Sequence, residues 1–131
     1  MKVLALDYGP ARTGVAVSDP TGTLARPVGV VERAASEAGL RRLLELVRAE
    51  EPERIVVGLP LTLRGEHGEQ ARETERFVEA LRGAVDVPVE SLDERFTTTL
   101  ASRTPARAPE DARAAAHLLT TYLARVSGGR G

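Results

Sequence analysis

"LALDYGPARTGVAVSD", Leu4–Asp19, ends an apolar run on an aspartate, turns between Gly9 and Gly14, and returns as small and β-branched residues. Within Lys2–Asp7 both alternating sets of positions are apolar, Val3 and Ala5 on one and Leu4 and Leu6 on the other. That is the pattern of a central strand covered on both faces. Val15–Ser18 reads as the returning strand of a hairpin. A carboxylate at the end of a buried strand costs several kcal/mol unless a backbone, an arginine or a metal ion compensates it.

The rest of the chain alternates. "PVGVVE", Pro27–Glu32, predicts a third strand. Ser36 can cap a helix in which Leu40, Leu43, Leu44 and Val47 recur at helical spacing, with Pro52 beyond its end. "RIVVGLP", Arg54–Pro60, reads as a short buried strand broken by Gly58 and Pro60. Glu69–Arg82 predicts a second helix with Ala71, Thr74, Val78 and Leu81 on one stripe. Val85, Val87 and Val89 alternate as a strand whose end carries Asp93 and Glu94, and Pro109 opens a last helix through about Val126. Three meandering strands followed by helix–strand units predict an α/β fold, a mixed five-stranded sheet flanked by helices. Residues 1–126 form one domain on this reading, with 127–131 a flexible C-terminal tail and Thr98–Pro109 the least regular segment.

Composition narrows the function classes. The 131 residues are 42% hydrophobic and 28% charged, as expected of a globular domain. There is no long apolar run for a membrane span, and "MKVLALDYG" reaches an aspartate too soon for a signal peptide. The absence of cysteine excludes disulfides and thiolate metal sites, so a cytoplasmic address is expected. A net charge of −1 gives no bulk attraction to nucleic acid, so such a surface must be a local patch of arginines.

Asp7 closes the first strand, and Asp93 and Glu94 close the last. If both strands are parallel and central, these acids emerge at the edge where open α/β sheets bind ligands. Asp111 shares a helical stripe with Ala115, Leu118 and Tyr122, although an acid in a first turn is also favoured by the helix dipole. Clustered carboxylates repel unless a cation lies among them. All-oxygen donors without histidine or cysteine select Mg²⁺ or Mn²⁺. Two such ions roughly 4 Å apart can activate a water and stabilise the leaving oxygen in phosphodiester cleavage, so the expectation is a two-metal endo- or exonuclease. Asp19 is assigned a turn role, His67 lies in a loop, and His117 falls off the Asp111 stripe and reads as structural. Tyr8 either stacks on a base or belongs to the core.

"LALDYGPARTGVAVSD", "IVVGLPL", "DERFTT" and "EDARAAAHLLTTYL" together resemble, in order and spacing, the YqgF/RuvX family of Holliday-junction-resolvase-like proteins. The resemblance covers about Lys2 to Val126. It implies a ribonuclease-H-like fold and a bacterial, cytoplasmic, metal-dependent nuclease that matures the 5′ end of pre-16S rRNA. Carried over by position, it implies Asp7, Glu94 and Asp111 as catalytic metal ligands, with Asp93–Glu94–Arg95 as the "DER" element. Asp93 or Glu94 is the ligand there, since successive strand residues face opposite ways. Arg12, Arg95, Thr97 and Thr98 are expected to meet phosphates, the alternatives being surface ion pairs for the arginines and backbone caps for the threonines. The segment from Thr98 to Asp111 departs from the family pattern in being short and without lysine.

The expected partner is nucleic acid, with pre-rRNA first and DNA second, and the expected assembly a monomer or homodimer. Two rivals stay open: a DNA nuclease or junction resolvase in repair, and a non-catalytic binding factor of the same fold. Carboxylates at all three positions favour the enzyme, because a pure binder gains nothing from acids that repel phosphate.

Overall fold

The computed structural model describes residues 1–59, 68–93 and 110–128, without the side chains of Asp93, Glu110, Asp111 and Ser127. Five strands and three helices follow one another as β1 (Val3–Asp7), β2 (Arg12–Ser18), β3 (Ala25–Glu32), α1 (Glu37–Glu50), β4 (Arg54–Leu59), α2 (Glu69–Arg82), β5 (Val89–Asp93) and α3 (Glu110–Gly128). The sheet order is β3-β2-β1-β4-β5. β1–β2 and β2–β3 pair antiparallel, β1–β4 and β4–β5 parallel. This is the mixed five-stranded sheet with flanking helices that the sequence predicts.

β1 lies at the centre, and its two-sided apolar pattern explains why. Leu4 and Leu6 join the cluster beneath α1 and α2, with Leu43, Phe77, Val78 and Leu81. Val3 and Ala5 join the opposite cluster beneath α3, with Ala115, Leu118, Leu119 and Tyr122. All four β1 side chains are fully buried, and each leucine stabilises the fold by roughly 1.5–3 kcal/mol. A one-residue slip would exchange the two sets and send Asp7 to the wrong face.

Local chemistry sets the ends of these elements. Ser36 caps α1 through its Oγ, which accepts from Gly39 N at 3.0 Å. Pro27 lies in β3, an edge strand, where the missing N–H costs least, and the pairing slips between Val15 and Ala16 to leave Val28 as a bulge. Asp19 takes the turn role assigned to it: it accepts from the Thr21 hydroxyl and from the amides of Thr23 and Leu24 at 2.8 and 2.9 Å.

Those donors, the Thr21 hydroxyl first, hold the Asp19 carboxyl well below the usual carboxylate range. A depressed folded-state pKa gives stability that is present above the unfolded value near 4 and is lost as pH falls below it. Asp19→Ala is therefore expected to lower the melting temperature at pH 7, with the difference from wild type shrinking at pH 2. Thermal denaturation at the two pH values checks this, and an equal difference at both would contradict it.

Three elements depart from the sequence reading. β2 starts at Arg12 rather than Val15, because the turn after Asp7 is tighter: Arg33 N donates to Ala11 O at 2.9 Å and fastens it. β4 continues through Gly58 to Leu59, so Gly58 does not break it. β5 begins only at Val89. Val85 and Val87 pack on the α1/α2-side cluster without ladder partners, and the first cross-link to β4 is Ile55 N donating to Pro88 O at 2.9 Å.

Candidate nucleic-acid site at the C-terminal edge of the sheet

The geometry starts from Asp7. It is the last residue of β1, half-buried, and alternation puts it on the α3 face with Val3 and Ala5. Its antiparallel partner on β2 is Gly14. On the other side, one step beyond the Leu6–Val57 pair, stands Gly58 of β4, on the same face as Val56 of the α3-side cluster. Asp7 is thus flanked by two residues without side chains, which leaves space beside its carboxylate. The sequence reading took Gly14 as a turn residue and Gly58, with Pro60, as breaking the strand and shaping a loop beside the site; the register puts both glycines directly beside Asp7. Gly9 closes the adjoining turn, and a Cβ there would lie 2.6 Å from Arg12 O, so no other residue fits without a shift.

α3 packs across β1, β2 and β3. At the edge opposite Asp7, Arg54 Nη1 donates to Tyr122 Oη at 2.9 Å and to Glu90 Oε1 at 2.8 Å. Arg54 pairs with Val3 at the start of β1, so Tyr122 marks the sheet's lower end. Asp111 lies eleven residues earlier on the helix, roughly 16 Å back along its axis. β1 spans roughly 13 Å from Val3 to Asp7, so the part of α3 before Tyr122 is long enough to span the height of that strand. Its stripe companions Ala115, Leu118 and Tyr122 are all buried against the sheet, as predicted.

Tyr122 serves as an anchor for this arrangement. Burial raises its phenol pKa, so it remains a neutral hydrogen-bonding group at ordinary pH. Tyr122→Phe removes one bond while Arg54 keeps Glu90, and is expected to cost about 1 kcal/mol, a few degrees in melting temperature. An unchanged melting temperature would show that α3 is held without it.

The remaining predicted residues divide plainly. Arg12 opens β2, exposed, two residues from Gly14 and paired with Glu32. Asp93 ends β5, paired with Leu59, at the same edge but two strands away from β1, roughly 10 Å laterally. Glu94, Arg95, Thr97 and Thr98, and with them Pro60 and His67, lie outside the described residues. Among the described residues no three acids, histidines or cysteines come together as a metal cluster. His117 is buried, and burial first, then the Arg113 charge, pushes its pKa below the ordinary value, so it stays neutral.

Tyr8 resolves toward the core. Its ring stacks on Phe77 with centroids 4.5 Å apart and planes 21° off parallel. Burial, then the nearby Glu73 charge, raises its hydroxyl pKa, with Arg76 opposing.

Comparison with known proteins identifies the family and the fold. The protein matches, over residues 1–125, the family model described as "RuvX: Holliday junction resolvase". It is 40% identical over 135 residues to a protein of Sulfurihydrogenibium sp. (strain YO3AOP1), covering 96% of this chain and 92% of the relative. It is 44% identical over 102 residues to one from Roseiflexus sp. (strain RS-1), covering 78% of this chain and 72% of the relative. Both carry the name "Putative pre-16S rRNA nuclease". Thermus thermophilus RuvC in complex with a Holliday junction substrate superposes with a TM-score of 0.67 at 21% identity, covering 98% of this chain and 97% of that one. The fowlpox virus resolvase in complex with Holliday junction DNA gives 0.62 at 10% identity, over 96% and 99% of the chains. At such identities the likeness concerns the fold, which is ribonuclease-H-like. With its motifs, its sheet order and the match over residues 1–125 in agreement, the chain belongs to the RuvX family.

Proposed function

We propose that this protein is a metal-dependent nuclease that hydrolyses phosphodiester bonds at the Asp7 edge of its sheet, with the 5′ end of pre-16S rRNA as substrate. One observation carries the reading: a half-buried carboxylate ends the central strand between Gly14 and Gly58. The curated relatives' names point to the same activity and substrate.

The donor set suits Mg²⁺ or Mn²⁺. Asp7 supplies a hard oxygen ligand, and the glycines beside it leave the volume that hydrated ions need. In this reading Asp7, Glu94 and Asp111 hold the metal. At the "DER" element Asp93 or Glu94 supplies the ligand, with Glu94 taken here on the motif resemblance. A divalent ion held there supplies an activated water and neutralises charge on the scissile phosphate. Arg12, at the rim on the same face, meets a neighbouring phosphate, and Arg95, Thr97 and Thr98 extend the grip along the strand. The enzyme works in the cytoplasm as a monomer or homodimer, and no helix among the described residues is long and apolar enough to cross a membrane.

The test is a substrate panel of end-labelled single-stranded RNA, single-stranded DNA and a four-way junction, each with Mg²⁺, Mn²⁺ or EDTA. Metal-dependent cutting of the RNA in preference to both DNAs is expected. Preferential, symmetric cutting of the junction would replace rRNA maturation with resolution.

A further inference from the structure

Among the described residues two that are not glycine hold a left-handed backbone, Glu51 at a φ of 49° and Arg33 at a φ of 47°. Glu51 closes α1, where a left-handed residue is a common helix ending. Arg33 ends no helix. It follows β3 directly, in a conformation that a Cβ disfavours and a glycine would take freely. The fold nevertheless holds it from two sides. Its N–H donates to Ala11 O of the β1–β2 turn at 2.9 Å, and its carbonyl accepts from Ser36 N at 2.9 Å and Ser36 Oγ at 2.6 Å. Its side chain is exposed and meets no acid among the described residues, whereas Lys2, Arg26, Arg41, Arg54 and Arg82 each pair with a glutamate. An exposed arginine held where glycine fits better is an outlier that local folding does not explain.

We infer that Arg33 grips a backbone phosphate of the substrate strand, a contact that positions the strand and reads no base. Arg33 stands at the Asp7 edge of the sheet. β3 runs antiparallel to β2, so Glu32 at its end pairs with Arg12, two residues before the Gly14 that pairs with Asp7. From the level of Asp7, Arg33 lies two strands aside, roughly 10 Å, and three residues beyond Val30, roughly 10 Å further out. That separation keeps it off the reacting bond and makes it a positioning residue for a phosphate further along the strand. A guanidinium offers a planar fork of donors that suits the oxygens of a phosphate. The pinned backbone leaves only side-chain freedom to be lost on binding. With a net charge of −1, the protein attracts a polyanion only through such local arginines. Together with Arg12 at the neighbouring strand end, Arg33 leads the strand from Asp7 across β2 and β3. The inference deepens the nuclease reading and rests on it for the identity of the strand.

Binding in EDTA tests this without cleavage. The whole protein is titrated against a fluorescein-labelled single-stranded RNA at salt concentrations from about 50 to 200 mM, and the melting temperature of each variant is measured alongside. Arg33→Gly is expected to weaken binding about tenfold. It should also make the slope of log K against log salt shallower by about 0.7, the share of one phosphate on a single strand. Its melting temperature should equal or exceed that of wild type, because glycine relieves the left-handed backbone. Arg33→Lys keeps the charge and should keep most of the affinity. Arg48→Gln removes an exposed arginine from the last turn of α1, away from the edge, and should change neither affinity nor slope. Unchanged affinity and slope in Arg33→Gly, an equally deep loss in Arg33→Lys, an equal loss in Arg48→Gln, or no RNA binding by wild type would each overturn the inference. Because no metal or scission enters the readout, phosphate binding and nuclease activity fail separately.

Discussion

Asp7→Asn is expected to lower cleavage by at least about a thousandfold, the loss of roughly 4 kcal/mol of transition-state stabilisation. Asparagine keeps the shape of the side chain and leaves the β1 ladder to Gly14 and its neighbours untouched. What it removes is the negative charge that makes the position a ligand for a hard cation. The variant should therefore fold normally. In metal-free buffer its melting temperature should equal or exceed that of wild type, because a charge that repels other acids at the edge is gone. With Mn²⁺ added, wild type should gain melting temperature through binding linkage and Asp7→Asn should not. Cutting at the wild-type rate by the variant would place the chemistry elsewhere.

Gly39→Ala is expected to be the most damaging small substitution outside that site. A Cβ at Gly39 would lie 1.9 Å from Arg33 O, 2.5 Å from Arg33 C and 2.7 Å from Glu32 O. All three are backbone atoms, so no side chain can swing away to relieve the clash. The first turn of α1 must lift from the β3–α1 connection, where Arg33 already holds a left-handed φ of 47°. A cost of about 3 kcal/mol or more follows, roughly 10 °C in melting temperature. Gly29→Ala provides the control, because nothing lies within 4 Å of a Cβ there. A Gly39→Ala protein as stable as Gly29→Ala would contradict the packing described.

Both predictions concern positions whose visibility in the sequence differs, and the difference is physical. Asp7 stands out because it ends a run in which Val3, Leu4, Ala5 and Leu6 are all apolar, a pattern that a central strand demands. The helices were legible for similar reasons, through the Ser36 cap and the stripe of Ala71, Thr74, Val78 and Leu81. Gly39 carries no such signal: its neighbour across the connection is a carbonyl, and no local periodicity reports it. Val85 and Val87 show the converse. Their alternation is genuine, but it reflects two half-buried side chains reaching in from a loop, and the first bond to β4 comes only at Pro88.

Long-range partners account for the rest. The choice of Tyr8 between base stacking and core depended on Phe77, which comes from α2 and is distant in the chain. Gly58 reads from sequence as breaking its strand and shaping a loop beside the site; that it stays in β4 as the neighbour of Asp7 follows from the β1–β4 register, which local pattern does not contain. The stripe of Ala115, Leu118 and Tyr122 was legible, since these are what α3 buries. For Glu94, Arg95, Thr97 and Thr98, which lie outside the described residues, the motif resemblance remains the ground of the proposal.

The most direct measurement uses an RNA carrying an unprocessed 5′ extension of 16S rRNA, labelled at its 5′ end and incubated with the protein in Mn²⁺ or in EDTA. The account predicts a discrete shortened product in Mn²⁺ and none in EDTA or with Asp7→Asn. An RNA that the protein binds but leaves uncut with any divalent metal would contradict it and identify a non-catalytic binding factor of the same fold.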